Sequence, residues 1–142
     1  MKMHLRVTDM PPGEQTRQGL QVTLENDMVS GNWVWVNGRM AQSPGDGGEI
    51  EIIAIGDDEQ QIGDECRRRS APPEAWHYMV LAPGESVTRV LGLQCYDLLG
   101  KHKVTFRAVY QDKNPASPEP PLPQLPMFKE RLSSNTVVIE WP

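Results

Sequence analysis

Cysteine, long apolar runs and surplus basic charge are all scarce in this sequence, and each scarcity excludes a class of protein. Only Cys66 and Cys95 occur, which rules out a disulfide-dense scaffold and any C-x-x-C redox or zinc motif. Two reduced structural thiols are the favoured reading, with a disulfide left open, because sequence separation does not show whether their Cα atoms come within bonding range. No stretch nears the roughly 20 apolar residues that span a bilayer, so membrane insertion is not expected. The opening MKMHLRVT lacks the apolar core of a signal peptide. As written the chain reads as cytoplasmic, and as periplasmic or secreted if a leader has been removed. Acidic residues outnumber basic ones, 19 to 14, for a formal charge of −5. Nucleic acid is not an expected partner, since phosphates call for the opposite field. The one basic cluster, Arg67 to Arg69, follows Asp64 and Glu65 and can pair locally.

Catalytic constellations are missing too. His4, His77 and His102 fall on three separate elements, with no paired spacing for a metal. There is no G-x-S-x-G elbow and no Gly-rich loop ahead of a helix to cradle phosphate. The acidic residues Asp57, Asp58, Glu59, Asp64 and Glu65 lack the ligand spacing of a calcium loop and read as a solvated hairpin tip. The expectation is therefore no enzyme, no metal and no cofactor.

What the sequence does have is alternation. In residues 101–111, KHKVTFRAVYQ, Val104, Phe106, Ala108 and Tyr110 share one face, while Lys103, Thr105, Arg107 and Gln111 mark the other. A period of two with aromatic and β-branched residues inward is the signature of a half-buried strand, and the other apolar runs read as its partners. Further strands are expected at 3–8, 20–26, 33–40, 50–55, 76–81, 87–93 and 135–141, with 61–68 returning as a poor edge strand. Residues 33–40, WVWVNGRM, are apolar on both faces and read as a central strand, with Trp33 or Trp35 as the bulky core residue. The 13 prolines and 12 glycines suit many short strands joined by turns. One domain over 1–142 is long enough to bury a core without staples.

Strands at this spacing predict an all-β fold, an antiparallel β-sandwich of about seven to nine strands with a long proline-rich loop before the last. Three segments sharpen the prediction: LQVTLEN at 20–26, LAPGES at 81–86, and 93–110 with Gly100 ahead of its strand. Together they resemble bacterial immunoglobulin-like domains, including those similar to the intracellular proteinase inhibitor family. In those domains a strand ending in Asn, an L-x-P-G-E turn and a G-x-Y-x-V strand recur in this order. The sequence departs from them at His102, where a Tyr is common, and at Val104, where antibody domains place a cysteine. No inhibitory motif carries over.

Functional expectation centres on residues 112–134. A connection beyond about 12–15 residues without structure of its own is uncommon and often functional. Prolines favour an extended conformation that loses little entropy on binding. Pro118, Pro120, Pro121, Leu122, Pro123, Leu125, Pro126, Met127 and Phe128 are the expected partner-binding residues. If 61–68 returns as a strand, strand parity gathers loop 27–32, turn 82–85 and loop 112–134 at one end of the sandwich. The expected function is a non-enzymatic protein-binding module, of which an inhibitor presenting a rigid loop is one form. The alternative is a structural or assembly subunit that associates, as a homodimer for instance, through an exposed sheet edge near 135–141. A third reading, carbohydrate or small-ligand binding, depends on an exposed Trp33, Trp35, Trp76 or Trp141.

Overall fold

Alternation becomes strand throughout the computed structural model, which describes residues 1–13, 17–27, 31–42, 48–66, 71–114 and 125–141. Its nine strands are β1 (Lys2–Asp9), β2 (Gln18–Glu25), β3 (Val34–Asn37), β4 (Ile50–Gly56), β5 (Gln61–Ile62), β6 (Tyr78–Leu81), β7 (Ser86–Gly92), β8 (Lys103–Tyr110) and β9 (Leu132–Glu140). They form three antiparallel sheets, β1-β2-β7, β3-β6 and β5-β4-β8-β9. The expected all-β class holds. Among the described residues the helical content is one 3₁₀ turn, Ala75–His77.

The organising strand behaves as its pattern predicts. Val104, Phe106, Ala108 and Tyr110 are all fully buried. They meet Leu5, Leu20, Val22 and Leu24 of the facing sheet in one apolar cluster. Each large side chain taken out of water there contributes about 1.5–3 kcal/mol. A register shift between Arg107 and Val109 turns the strand locally, as a bulge does, and Val109 is buried as well.

Asn26 explains why β2 ends where it does. Its backbone N–H donates to the Glu85 carbonyl (2.9 Å) and its own carbonyl accepts the Gly84 N–H (2.7 Å). Its side-chain amide donates to the carbonyls of Leu81 and Asn32, both at 2.9 Å. Gly84 sits at φ +85°, a left-handed position that suits glycine. One buried side chain therefore brackets turn 82–85 to the far side of loop 27–32.

The direction of β9 follows from two contacts. Asn135 accepts the Leu5 N–H (2.8 Å) and donates to the Leu5 carbonyl (2.9 Å). Farther along, Trp141 lines a cleft with Gln18, whose partner is Asp9 at the end of β1. β1 and β9 thus run side by side in the same direction. Residue 132 lies at the end of the sandwich that holds Asn26 and Glu85, so the described roots of the long connection share that end with them.

Several expectations are corrected. Cys66 and Cys95 form a disulfide, with Cα atoms 5.2 Å apart. Glu65 donates to the Cys95 carbonyl at 2.8 Å and Asp64 bridges Tyr96, and this pairing supplies the proximity that sequence separation could not. No tryptophan is a core residue: Trp33 is 51% exposed and Trp76 is 74% exposed. The inward face of β3 belongs to Val34 and Val36, so alternation turns Trp33 and Trp35 outward. The strand at 33–40 shrinks to β3, and 76–81 begins as the 3₁₀ turn. Only Gln61–Ile62 of the proposed edge strand pairs, and Arg67 to Arg69 lie outside the described residues. β9 starts at Leu132, so the long connection is shorter than 112–134.

Candidate functional site

The long connection leaves β8 through Asp112, a carboxylate with almost no solvent exposure. The Tyr78 hydroxyl donates to its Oδ2 at 3.0 Å, and the Lys129 ammonium donates to the same oxygen at 2.8 Å. The Asn114 backbone and side-chain amides donate to Oδ1 at 3.1 and 3.0 Å. Lys129 also donates to the Asn114 carbonyl at 2.7 Å and lies 5.6 Å from the centre of the Tyr78 ring. Residues on both sides of the connection are therefore fastened to one carboxylate. Burial alone would raise the Asp112 pKa, but the hydrogen bonds from Lys129 and Asn114 outweigh it and hold the carboxyl below its ordinary value. Burial pushes the Tyr78 and Tyr110 hydroxyls well up, with the Asp112 charge adding to both, so they stay neutral donors.

A second buried pair backs the first. Arg39 grips Glu49 in fork geometry, Nε to Oε1 at 2.8 Å and Nη2 to Oε2 at 2.6 Å, and the Glu49 side chain is fully buried. The Glu49 carbonyl accepts the Gln111 N–H at 2.9 Å, which joins this pair to the start of the connection. The Tyr110 hydroxyl accepts the Asn37 N–H at 3.2 Å, which ties in the end of β3.

The returning side of the connection docks on β3. Trp35 donates its backbone N–H to the Pro126 carbonyl, and Phe128 donates to the Trp35 carbonyl, both at 2.9 Å. The Phe128 ring stacks on Tyr110 with centroids 6.2 Å apart. In register, Trp35 stands opposite Val80 on one side and Met127 on the other. Residues opposite one another share a sheet face, so Val80, Trp35 and Met127 form an outward row. Trp33 and Leu125, each two residues away, extend it. All five are apolar, Trp33 is half exposed, and the other four are partly exposed.

Of the partner-binding residues expected from sequence, Leu125 and Met127 belong to this face. Pro126 is exposed and fixed through its carbonyl, while Phe128 is partly buried against the core. Pro118, Pro120, Pro121, Leu122 and Pro123 lie outside the described residues. Trp33 and Trp35 were expected at a surface only in the carbohydrate or small-ligand reading, and Val80 was not singled out. The outward parity of the two tryptophans against Val34 and Val36 was the available signal.

The three histidines lie in separate places. His4 lies 2.9 Å from Glu25, His77 accepts the Glu74 N–H (2.8 Å) beneath Trp76, and His102 offers its carbonyl to Trp141. Possible ligand atoms of Asp64, Cys66 and Cys95 lie within 4.8 Å of one another, but the bond between the two sulfurs withdraws both thiolates as ligands. Among the described residues no helix is long and apolar enough to cross a membrane. Near 135–141, β9 is the outer strand of its sheet, with β1 alongside it and the Asn135 side chain bonded to the Leu5 backbone. No known family model matches this sequence, and no curated protein matches it either.

Proposed function

We propose that this chain is a non-enzymatic protein-binding module whose recognition surface is the outward face of β3 together with the proline-rich stretch rooted beside it. The observation that carries the proposal is the apolar row Val80, Trp35 and Met127, extended by Trp33 and Leu125, next to two braced loop roots. Tryptophan and methionine are enriched where proteins meet. A connection fixed at both roots loses less freedom on binding than a free one. Inhibition of a peptidase by inserting the connection into its cleft is one concrete form, in keeping with the resemblance to inhibitor-type immunoglobulin-like domains. The disulfide supports work in an oxidising compartment, where such bonds persist.

Capture of partners from a lysate of the source organism tests the proposal with three baits: wild type, Trp33→Ser with Leu125→Ser, and a chain whose residues 115–124 are a Gly-Ser linker. The expected result is a partner held by wild type and lost by the double variant. A partner held equally by all three places recognition elsewhere on the molecule and defeats the proposal. Titration of wild type against a panel of peptidases separates an inhibitor from a plain binder.

A further inference from the structure

Away from the proposed face, at the end of the sandwich where β1 stops and β2 begins, a cleft of about 280 Å³ is lined by Arg17, Gln18, Leu93, Leu98 and Trp141. We propose that it binds a small amphipathic carboxylate, a short acyl chain or a single aromatic ring carrying one carboxyl group. The inference stands independently of the protein-binding role.

Three observations carry it. The walls are apolar and fixed in place. Leu93 is buried, its carbonyl accepts the Tyr96 N–H at 3.1 Å, and the Leu98 carbonyl accepts the Lys101 N–H at 3.0 Å. The Cys66–Cys95 bond pins the stretch between those two leucines, so this wall is built before any ligand arrives. Trp141, partly buried against the core, adds a flat aromatic surface suited to an alkyl chain or a ring.

At the mouth stands Arg17. Its backbone carbonyl accepts the Met10 N–H at 2.8 Å, which fixes its root, while its guanidinium makes no ion pair with any described residue. In a chain of net charge −5, a cation with no ion pair among the described residues beside an apolar cleft is suited to a ligand that brings its own anion. The planar fork of a guanidinium matches a carboxylate through two parallel hydrogen bonds. The volume is close to the small end of known ligand sites, at roughly 300 Å³, which favours a short chain or one ring over a long lipid.

The test is a titration of ¹⁵N-labelled protein with hexanoate and with benzoate, using hexanol as the neutral control. The Trp141 indole signal is identified by its loss in Trp141→Phe. Expected are saturable shifts of that indole and of the Leu98 amide with at least one carboxylate, and binding of hexanol about tenfold weaker, the scale of a charge-assisted pair. Arg17→Gln, a change at an exposed position whose fold is checked by circular dichroism, should bring the carboxylate down to the level of hexanol. Absence of saturable shifts with both carboxylates overturns the proposal, as does binding that hexanol matches or that Arg17→Gln leaves unchanged. Tighter binding of hexanoate or of benzoate tells acyl from aryl.

Discussion

Where the long connection leaves β8, irregular chain is held by ion pairs and hydrogen bonds converging on Asp112 and Glu49. At the opposite end, the stretch after β7 is held by the Cys66–Cys95 bond and by apolar packing. The mechanical task is the same, but the physics differs. A buried ion pair gains little net stability over apolar packing, yet losing one partner strands the other charge, so such a pair fixes geometry more than it adds free energy. A disulfide also fixes a local geometry, but its stabilisation comes largely from restricting the unfolded chain. The proposed recognition face thus rests on the support that specifies position. The cleft rests on the support that resists unfolding.

The largest effect should come from breaking the buried fork. Glu49→Leu leaves Arg39, whose side chain is 13% exposed, without its carboxylate and is expected to cost about 3–5 kcal/mol, read as a drop in the urea midpoint. Next comes the disulfide, whose ends are 29 residues apart in sequence. Replacing both cysteines by Ala should cost about 2–4 kcal/mol, and the Tm of that variant should no longer respond to reductant. If Glu49→Leu proves milder than the cysteine pair, the contrast between positioning and stabilising supports reverses.

Acid should weaken the end held by Asp112. Because the folded state holds the Asp112 carboxyl below its ordinary value, its contribution is fully present above the unfolded value, near about 3.9. It is lost as the pH falls through the lower folded value. Asp112→Asn should therefore be less stable than wild type at neutral pH, with the gap closing below about pH 4. Urea midpoints measured across that range check the sign. A gap that widens in acid would mean that Lys129 and Asn114 do not set the balance. The smallest effect is expected at Trp33→Ser, within about 0.5 kcal/mol by thermal unfolding, because the ring stands outside the core. A large loss there would make Trp33 a packing residue and weaken the recognition face.

Much of this architecture can be read from alternation. The inward residues of β8, the end of β2 at Asn26 and the turn around Gly84 follow from period-two patterning and from glycine at a left-handed position. The two tryptophans of 33–35 misled because size suggested core. Parity was the better guide, since Val34 and Val36 occupy the inward side. The disulfide was illegible because proximity between 64–66 and 95–96 is created by pairing between segments far apart in the chain. The ties of Asp112 to Lys129 and of Glu49 to Arg39 were hidden for a related reason. Charged residues ordinarily read as solvated, and only the packed sheets reveal which of them lost their water. The docking of Pro126 and Phe128 on Trp35 carries no periodic signal at all, being only three residues long.

The side-by-side course of β1 and β9 has a consequence for the response of this protein to force. The Met1 ammonium is held 2.8 Å from Asp27 at the loop end, whereas Trp141 lies beside Gln18 at the cleft end. Tension applied between those two residues runs along both strands rather than across them. The contacts between β1 and β9 are then loaded together in shear and must yield together, where a pull across them would open them one at a time. Forced unfolding is governed by the height of the barrier out of the native state, and loading in shear raises the force needed to cross it. The Asn135 bracket on Leu5 sits within that seam, so a pull between the two residues loads it directly.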